Sequence, residues 1–385
     1  MDIRYIKHLH VDNFKSLVEF DLPLAKFSCL VGLNGSGKST VLQFFDFLSQ
    51  QVKGDLDSWL TSRQWKPVDL SSKLTRRQNI SFTVSLLHRD NFEIKWVASF
   101  NRQTLRCTSE RVDWQGQTLL KVEDGKYALW TLNQQRESVL AGDITFDYQG
   151  SAISQIRESQ LPPEILMLKR FLLGLHALDL LAPELLRQRA REGGDSLGLG
   201  GEKLSAFLYE IGEERRLEIQ GKLRSIYPQF QQFDISALQA GWKKLTVREQ
   251  FAGTMVKTEA RHVADGFLRM LAVFAQLSKE QSFLLLDEIE NGVNPELIEF
   301  LIDELVAARP QVLITTHSPM VLNYLSDGTA IDGVIYLYKN LLGATQAMRL
   351  FEIPAMREKL TVMGAGEVYE DTLLTQLNRE IMGVR

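Results

Sequence analysis

Short runs of alternating apolar and polar residues fill the first third of the chain and predict strands. Residues 3–11, 17–22 and 27–31 read as three strands separated by Asp/Asn and Pro signals. Val41, Phe44, Phe45 and Leu48 then recur at helical spacing. Residues 50–78 are polar and irregular, with Trp59 and Trp65 as the large apolar anchors. Residues 79–87, 92–100 and 104–112 are rich in Val, Ile, Phe and Thr, and turn signals follow at Gln115-Gly116 and Asp124-Gly125, which predicts a β-rich insertion. From Pro162 to Ile226 the period becomes helical: Pro162-Pro163-Glu164 marks a helix start, and Leu204, Phe207, Leu208 and Ile211 form one apolar stripe before Pro228. Glycines 193, 194, 198, 200 and 201 predict a flexible loop between two helices. Strands resume after Pro228, with Leu245, Val247 and Glu249 on one face and Thr246 and Arg248 on the other. Near the end, residues 331–339 predict a further strand, and Leu373, Leu374 and Leu377 a closing helix. No internal repeat occurs, and no heptad run is long enough for an extended coiled coil.

Composition narrows the class without naming a chemistry. The 385 residues are 44% apolar and 24% charged, as in an ordinary globular protein with ample core. A net charge of −4 exerts no general pull toward nucleic acid or anionic membrane. The two cysteines, Cys29 and Cys107, read as small buried side chains in a reducing compartment. The N-terminus lacks the pattern of a signal peptide. The most hydrophobic run, 165–186, is broken by Lys169, Arg170, His176, Asp179 and Pro183, so it cannot cross a bilayer cheaply. A cytoplasmic location with no membrane contact is the expectation.

Chemistry enters with Gly32-Leu-Asn-Gly-Ser-Gly-Lys-Ser-Thr40, which fits G-x-x-x-x-G-K-[ST] between an apolar strand and a helix. Such a loop turns successive backbone N–H groups inward onto a polyphosphate. Asn34, Gly35, Ser36, Gly37, Lys38, Ser39 and Thr40 are the candidate residues for binding ATP or GTP. Lys38 supplies a point charge for the β/γ oxygens, Ser39 a hydroxyl for Mg²⁺, and the following helix its positive dipole end.

A second pattern lies 249 residues beyond Lys38. Phe283-Leu-Leu-Leu-Asp-Glu288 has the form of a buried parallel strand that delivers two acids at its C-terminal end. Asp287 suits the Mg²⁺ that bridges the β- and γ-phosphates, and Glu288 suits the general base that polarises water. Gln311-Val-Leu-Ile-Thr-Thr-His317 repeats the geometry and places His317 at a strand tip, where it fits a γ-phosphate sensor.

In this combination the motifs resemble those of the ABC-type ATPases of the SMC/RecF/OLD group, often labelled AAA-family ATPases. Gly32–Thr40 looks like Walker A, 283–288 like Walker B with its catalytic glutamate, Asn291-Gly-Val-Asn-Pro295 like a D-loop, and Thr316-His317-Ser318-Pro319 like an H-loop. The Asn13-Phe-Lys-Ser16 turn belongs to the same likeness, which covers roughly residues 1–45 and 245–325. It implies an α/β fold: a P-loop ATPase head with a mixed β-sheet core, a β-rich N-terminal lobe and a helical insertion. The corresponding segments are 1–160, 161–228 and 229–385. It implies ATP and Mg²⁺ as ligands, and a homodimer in which each nucleotide is sandwiched between the Walker motifs of one head and a signature loop of the other.

The candidate signature is His262-Val-Ala-Asp-Gly-Phe-Leu-Arg269, in which Ala264, Asp265 and Gly266 face the partner's γ-phosphate by the same likeness. The family usually carries Ser where this chain has Ala264. Loss of that hydroxyl removes about 1–3 kcal/mol of charge-assisted hydrogen bonding and predicts weaker dimerisation or slower hydrolysis. Gln64 and Gln78 both stand where a Q-loop glutamine is wanted, and neither is favoured. Arg76 and Arg77 suit either the nucleotide or a solvated strand edge; Arg187/Arg189/Arg191 and Lys243/Lys244 suit either nucleic-acid phosphates or solvated faces. Only 68 residues follow His317, too few for the nuclease domain that OLD-type proteins append. The expectation is an ATP-switched head that regulates or scaffolds a separately encoded effector, in bacterial anti-phage defence by analogy. The alternative is a RecF-like DNA-binding ATPase in repair.

Overall fold

A computed structural model describes residues 3–132, 140–178 and 182–383; Asp179 lies outside them. The chain divides into two compact units, residues 1–175 with 326–385, and residues 176–325. The division falls inside the expected helical insertion 161–228. Its first helix packs on the helix after the phosphate loop, whereas its later helices pack on the signature helix.

The first unit opens with β1 (Ile3–Asp12), β2 (Phe20–Pro23), β3 (Phe27–Val31), α1 (Lys38–Lys53) and α2 (Leu56–Ser62). Then come β4 (Asn79–His88), β5 (Glu93–Asn101), β6 (Arg106–Trp114), β7 (Gln117–Glu123), β8 (Lys126–Leu129), β9 (Leu140–Asp143) and α3 (Pro163–Leu173). Eight strands form an antiparallel sheet in the order β2-β1-β4-β5-β6-β7-β8-β9. Alternation sets its faces: in β5, Ile94, Trp96, Ala98 and Phe100 are buried while the residues between them are half-exposed. The turns at 115–116 and 124–125 have positive φ at both central residues, the hairpin geometry that the sequence signals there. An aromatic cluster fixes α1 to this sheet: Phe44 meets Phe14 and Phe82 at 5.0 and 5.9 Å, and Phe47 meets Phe100 at 5.1 Å. Part of the stretch expected to be irregular is helical. Asp55 caps α2 by accepting the Ser58 N–H, and the buried Trp59 donates its indole N–H to Asp46 (2.7 Å).

The second unit runs through β10 (Leu175–Leu178), α4 (Pro183–Leu186), α5 (Leu204–Glu210), α6 (Glu213–Ile226), β11 (Phe230–Ala237), β12 (Lys243–Phe251) and β13 (Thr254–Glu259). It continues with α7 (Asp265–Leu277), β14 (Phe283–Leu286), α8 (Pro295–Val306), β15 (Gln311–Thr315) and α9 (Pro319–Asn323). β14 is fully buried and pairs in parallel with β15; β10 lies on its other side. β11, β12 and β13 form an antiparallel sheet that buries Leu245 and Val247, as the alternation predicts. Gly212 separates α5 from α6 within what reads as one helical stretch. The glycine-rich loop is tied down: Glu210 accepts the N–H groups of Gly193 and Gly194 (2.8 and 3.0 Å), and Gln276 that of Leu197 (3.2 Å).

The chain then returns to the first unit as α10 (Asp327–Gly333), β16 (Val334–Lys339), β17 (Thr345–Arg349), α11 (Pro354–Lys359), α12 (Ala365–Glu370) and α13 (Leu374–Ile381). The expected strand at 331–339 starts three residues later because α10, capped at its start by Ser326 through the Thr329 N–H (3.3 Å), runs on through Gly333. β16 pairs in parallel with β3 and antiparallel with β17. Tyr336 in β16 donates its hydroxyl to Asn378 (2.7 Å), which docks α13. The fold is α/β with mixed parallel and antiparallel pairing. Cys29 and Cys107 are buried and not joined in a disulfide. Among the described residues no helix is long and apolar enough to cross a membrane.

Candidate functional site

In the first unit, the phosphate loop joins the buried strand β3 to the N-terminus of α1. Asn34, Gly35 and Ser39 are exposed, Gly37 and Thr40 half-buried, and Ser36 and Lys38 buried at 3% and 7% exposure. Lys38 bends back over the loop and donates to the carbonyls of Gly32 (2.9 Å) and Leu33 (3.3 Å). Gly37, at φ 114°, is the N-cap of α1, and neither a side-chain cap nor a first-turn acid covers the helix end. A helix N-terminus of this kind offers its positive dipole end and its first N–H groups to an anion. The Ser36 hydroxyl is buried without a partner among the described residues, which is unusual for a folded interior. A triphosphate would offer acceptor oxygens to the Ser36 hydroxyl and to the N–H groups of this turn, so the residues present fit the group implied by the motif.

The Asn13–Ser16 turn is built by Asn13. Its amide donates to the carbonyls of Arg77 (2.8 Å) and Asn79 (2.9 Å) and accepts from Thr75 (2.8 Å). Lys15 follows, with φ 47°, its ammonium on Gln43 of α1 (2.8 Å) and 3.3 Å from the centre of the Trp65 ring. Burial, then the nearby Arg63 charge, lowers its pKa to about 8.

In the second unit, Asp287 and Glu288 leave the end of β14, and one side chain from β15 connects them. The buried Thr315 hydroxyl accepts the Glu288 N–H (2.8 Å) and donates to Asp287 Oδ1. Glu288 holds φ 45°, a left-handed conformation that costs a non-glycine residue about 1 kcal/mol or more. Its carboxylate accepts from the Asn291 amide, while Glu290 accepts the His317 N–H (2.8 Å). The His317 ring is exposed at the strand tip. A small cavity, about 10 Å³ of room for the centre of a water-sized sphere, adjoins Asp287 and Glu288 and is lined also by Leu178, Arg269 and Met270.

The signature segment opens α7 as expected, with Ala264 as its N-cap and Asp265 and Gly266 in the first turn. Arg187 holds this start by pairing with Asp265 and donating to the Val263 carbonyl (2.8 Å). Gly266 has a reason within the chain itself: a Cβ there would lie 2.5 Å from the Gly292 carbonyl oxygen of the D-loop-like turn.

The alternatives left open among the basic residues narrow. Arg77 pairs with Asp12 and Glu19, as a strand edge does. Arg189 pairs with Glu259 (2.6 Å), and Arg191 and Lys243 lie over the rings of Trp242 and Tyr209 (4.7 and 4.3 Å). Gln64 and Gln78 are both exposed. In the sequence Thr315 reads only as part of a strand end and Asn291 only as the start of the D-loop-like turn, while Glu290 has no signal beyond its adjacency to the two acids.

Two family models match the chain: "AAA domain, putative AbiEii toxin, Type IV TA system" over residues 148–323, and "AAA ATPase domain" over residues 5–125. An OLD nuclease of Thermus scotoductus is 41% identical over 110 residues, which make up 28% of this chain and 18% of that protein. The chain thus spans less than a fifth of the curated relative it matches. An SMC head bound to the C-winged helix domain of ScpA superposes with a TM-score of 0.59 at 14% identity, covering 92% of this chain and 99% of the other. An Smc head with an extended coiled coil, bound to the C-terminal domain of ScpA derived from Pyrococcus furiosus, gives 0.51 at 14% identity, with 93% and 99% covered. These likenesses show the fold of an SMC-type head.

Proposed function

We propose that the chain is an AAA ATPase of the SMC/RecF/OLD-like group, a reading supported by the two family models and the partial OLD nuclease likeness, and that it binds and hydrolyses ATP as a nucleotide-gated switch. The phosphate loop carries the reading: an uncapped helix end, a buried lysine and an orphaned buried hydroxyl converge on one turn. Backbone N–H groups of 34–40 hold the phosphates, and Lys38 turns from its own carbonyls to the β/γ oxygens. Ser39 and Asp287 are the residues that would hold a Mg²⁺ ion, whose charge would offset that of the phosphates; such an ion asks for only one or two protein ligands. Glu288 polarises the attacking water, Asn291 and Thr315 hold it in register, and His317 contacts the γ-phosphate. Ala264, Asp265 and Gly266 of a second copy close over the nucleotide, with hydrolysis slowed by the missing hydroxyl at 264.

ATP-driven pairing of heads then regulates a separately encoded effector in bacterial defence. The family description naming a Type IV toxin–antitoxin system and the partial OLD nuclease relative support this role. The test is a pull-down from the native cell with Glu288→Gln, which binds ATP and hydrolyses it poorly. A stoichiometric protein partner, lost with Lys38→Ala, is the expected result. Recovery of DNA without a protein partner would replace the effector reading with a repair clamp.

A further inference from the structure

A residue outside every recognised motif holds the phosphate loop from behind. Thr345, the first residue of β17, is fully buried. Its hydroxyl lies 2.9 Å from the Ser36 carbonyl, 2.8 Å from the Ser16 hydroxyl and 2.9 Å from the Lys339 ammonium. The chemistry of the partners fixes the direction of each bond. A carbonyl only accepts and an ammonium only donates, so the single Thr345 proton goes to Ser36, and Ser16 must donate its own. One proton given and two lone pairs filled is the full capacity of a hydroxyl. The Thr345 N–H also donates to the Ser16 carbonyl (2.8 Å).

Shape adds to this. A Cβ on Gly37 would fall 2.3 Å from Thr345 Oγ1 and 2.9 Å from its methyl carbon, so loop and threonine are in the closest approach that glycine permits. In the trans Ser36–Gly37 peptide the N–H points opposite to the carbonyl that Thr345 grips, and so away from Thr345.

We propose that Thr345 is a positioning residue for nucleotide binding: it clamps the Ser36–Gly37 peptide against the Asn13–Ser16 turn and the β16–β17 hairpin, and so sets the direction of the loop's N–H groups. The assignment rests on the reading that this loop holds ATP. It concerns ground-state binding, because the clamp touches the loop and none of the groups assigned to the water or to the cleaved bond.

The test compares full-length wild type, Thr345→Val, Thr345→Ser and Lys38→Ala in binding of a fluorescent ATP analogue and in steady-state hydrolysis. Thr345→Val keeps the shape and removes the hydroxyl, and should raise the Kd and KM about tenfold with kcat at saturation nearly unchanged. Thr345→Ser should recover most of the affinity. A general loss of stability would lower the active fraction, and kcat with it, instead of raising KM. Should Thr345→Val fail to fold, Ser16→Ala removes one arm only and should weaken binding by a smaller factor; an unchanged Kd there overturns the assignment. Wild-type binding that Thr345→Val fully retains overturns the assignment alone. Wild-type protein that binds no ATP sinks the nucleotide reading and the clamp together.

Discussion

Replacing Thr315 by Val tests the central claim about the acidic end of β14. The substitution keeps the branched shape of a fully buried residue and deletes one oxygen that serves two bonds. One of these goes to a carboxylate, and charge-assisted bonds contribute about 1.5–3 kcal/mol. The other holds the N–H of Glu288, whose left-handed backbone persists only while its surroundings enforce it. Freed of that bond, the residue relaxes toward ordinary φ values and swings its carboxylate away from the Asn291 amide. If about 2–3 kcal/mol of the alignment is lost in the transition state, kcat falls roughly 30- to 150-fold. ATP-analogue affinity measured without Mg²⁺ should change far less, because the bonds that Thr315 makes go to Glu288 and Asp287 and none to the loop assigned to the phosphates. Steady-state hydrolysis and ATP-analogue binding, with Thr315→Ser as the hydroxyl-retaining control, measure both quantities. Hydrolysis by Thr315→Val within twofold of wild type would refute the argument, as would an equal defect in Thr315→Ser.

Asn291→Ala removes the amide that orients Glu288 and should lower kcat about tenfold at constant ATP affinity; a rise in Kd with kcat intact would contradict that role. Gly266→Ala sets a methyl group 2.5 Å from the Gly292 carbonyl, so thermal melting should show a loss of about 1–3 kcal/mol together with slower hydrolysis, and a variant of unchanged stability would show that the turn yields freely. Glu110, buried in β6, accepts from Ser151 (2.6 Å) and the Ala152 N–H (2.7 Å), yet burial outweighs both and raises its pKa to about 7 from an ordinary 4.5. Since the unfolded chain ionises first, wild-type stability should fall as pH rises from about 4.5 to about 7, a span worth at most about 3 kcal/mol. Glu110→Gln, which does not ionise, should gain on wild type across that window in denaturant titrations, and a gap independent of pH would count against the buried acid.

The local parts of this protein are legible in its sequence. The phosphate loop needs its residues consecutively, and the strand that carries Asp287 and Glu288 announces itself as four apolar residues before two acids. Alternation in β5 and β12 likewise sets which side chains are buried, because a strand has only two faces. What is not legible depends on partners distant in the chain. Arg187 reads as part of a basic cluster until Asp265 stands beside it, and Arg77 until Asp12 and Glu19 do. The boundary after Leu175 is equally hidden, since α3 and α5 share a helical pattern and differ only in which helix they pack against, α1 or α7.

The two threonines that matter most are invisible for a different reason. Thr315 ends one strand and Thr345 starts another, and a β-branched residue in a strand needs no explanation beyond propensity. Each is buried at a point where a donor and an acceptor must be joined: an N–H and a carboxylate at Thr315, an ammonium and a peptide carbonyl at Thr345. A lysine or glutamate there would add a buried charge, at a cost of several kcal/mol unless paired. An asparagine would need more room and leave further polar atoms to satisfy. The hydroxyl is the smallest side-chain group that accepts and donates at once, so it fixes the relative direction of two charged or dipolar elements without altering the local charge. That neutrality matters beside groups assigned to phosphates and Mg²⁺, whose field a further ion would change. It follows that serine should be the tolerated replacement at both positions, and that valine, the closest in shape, should be the damaging one.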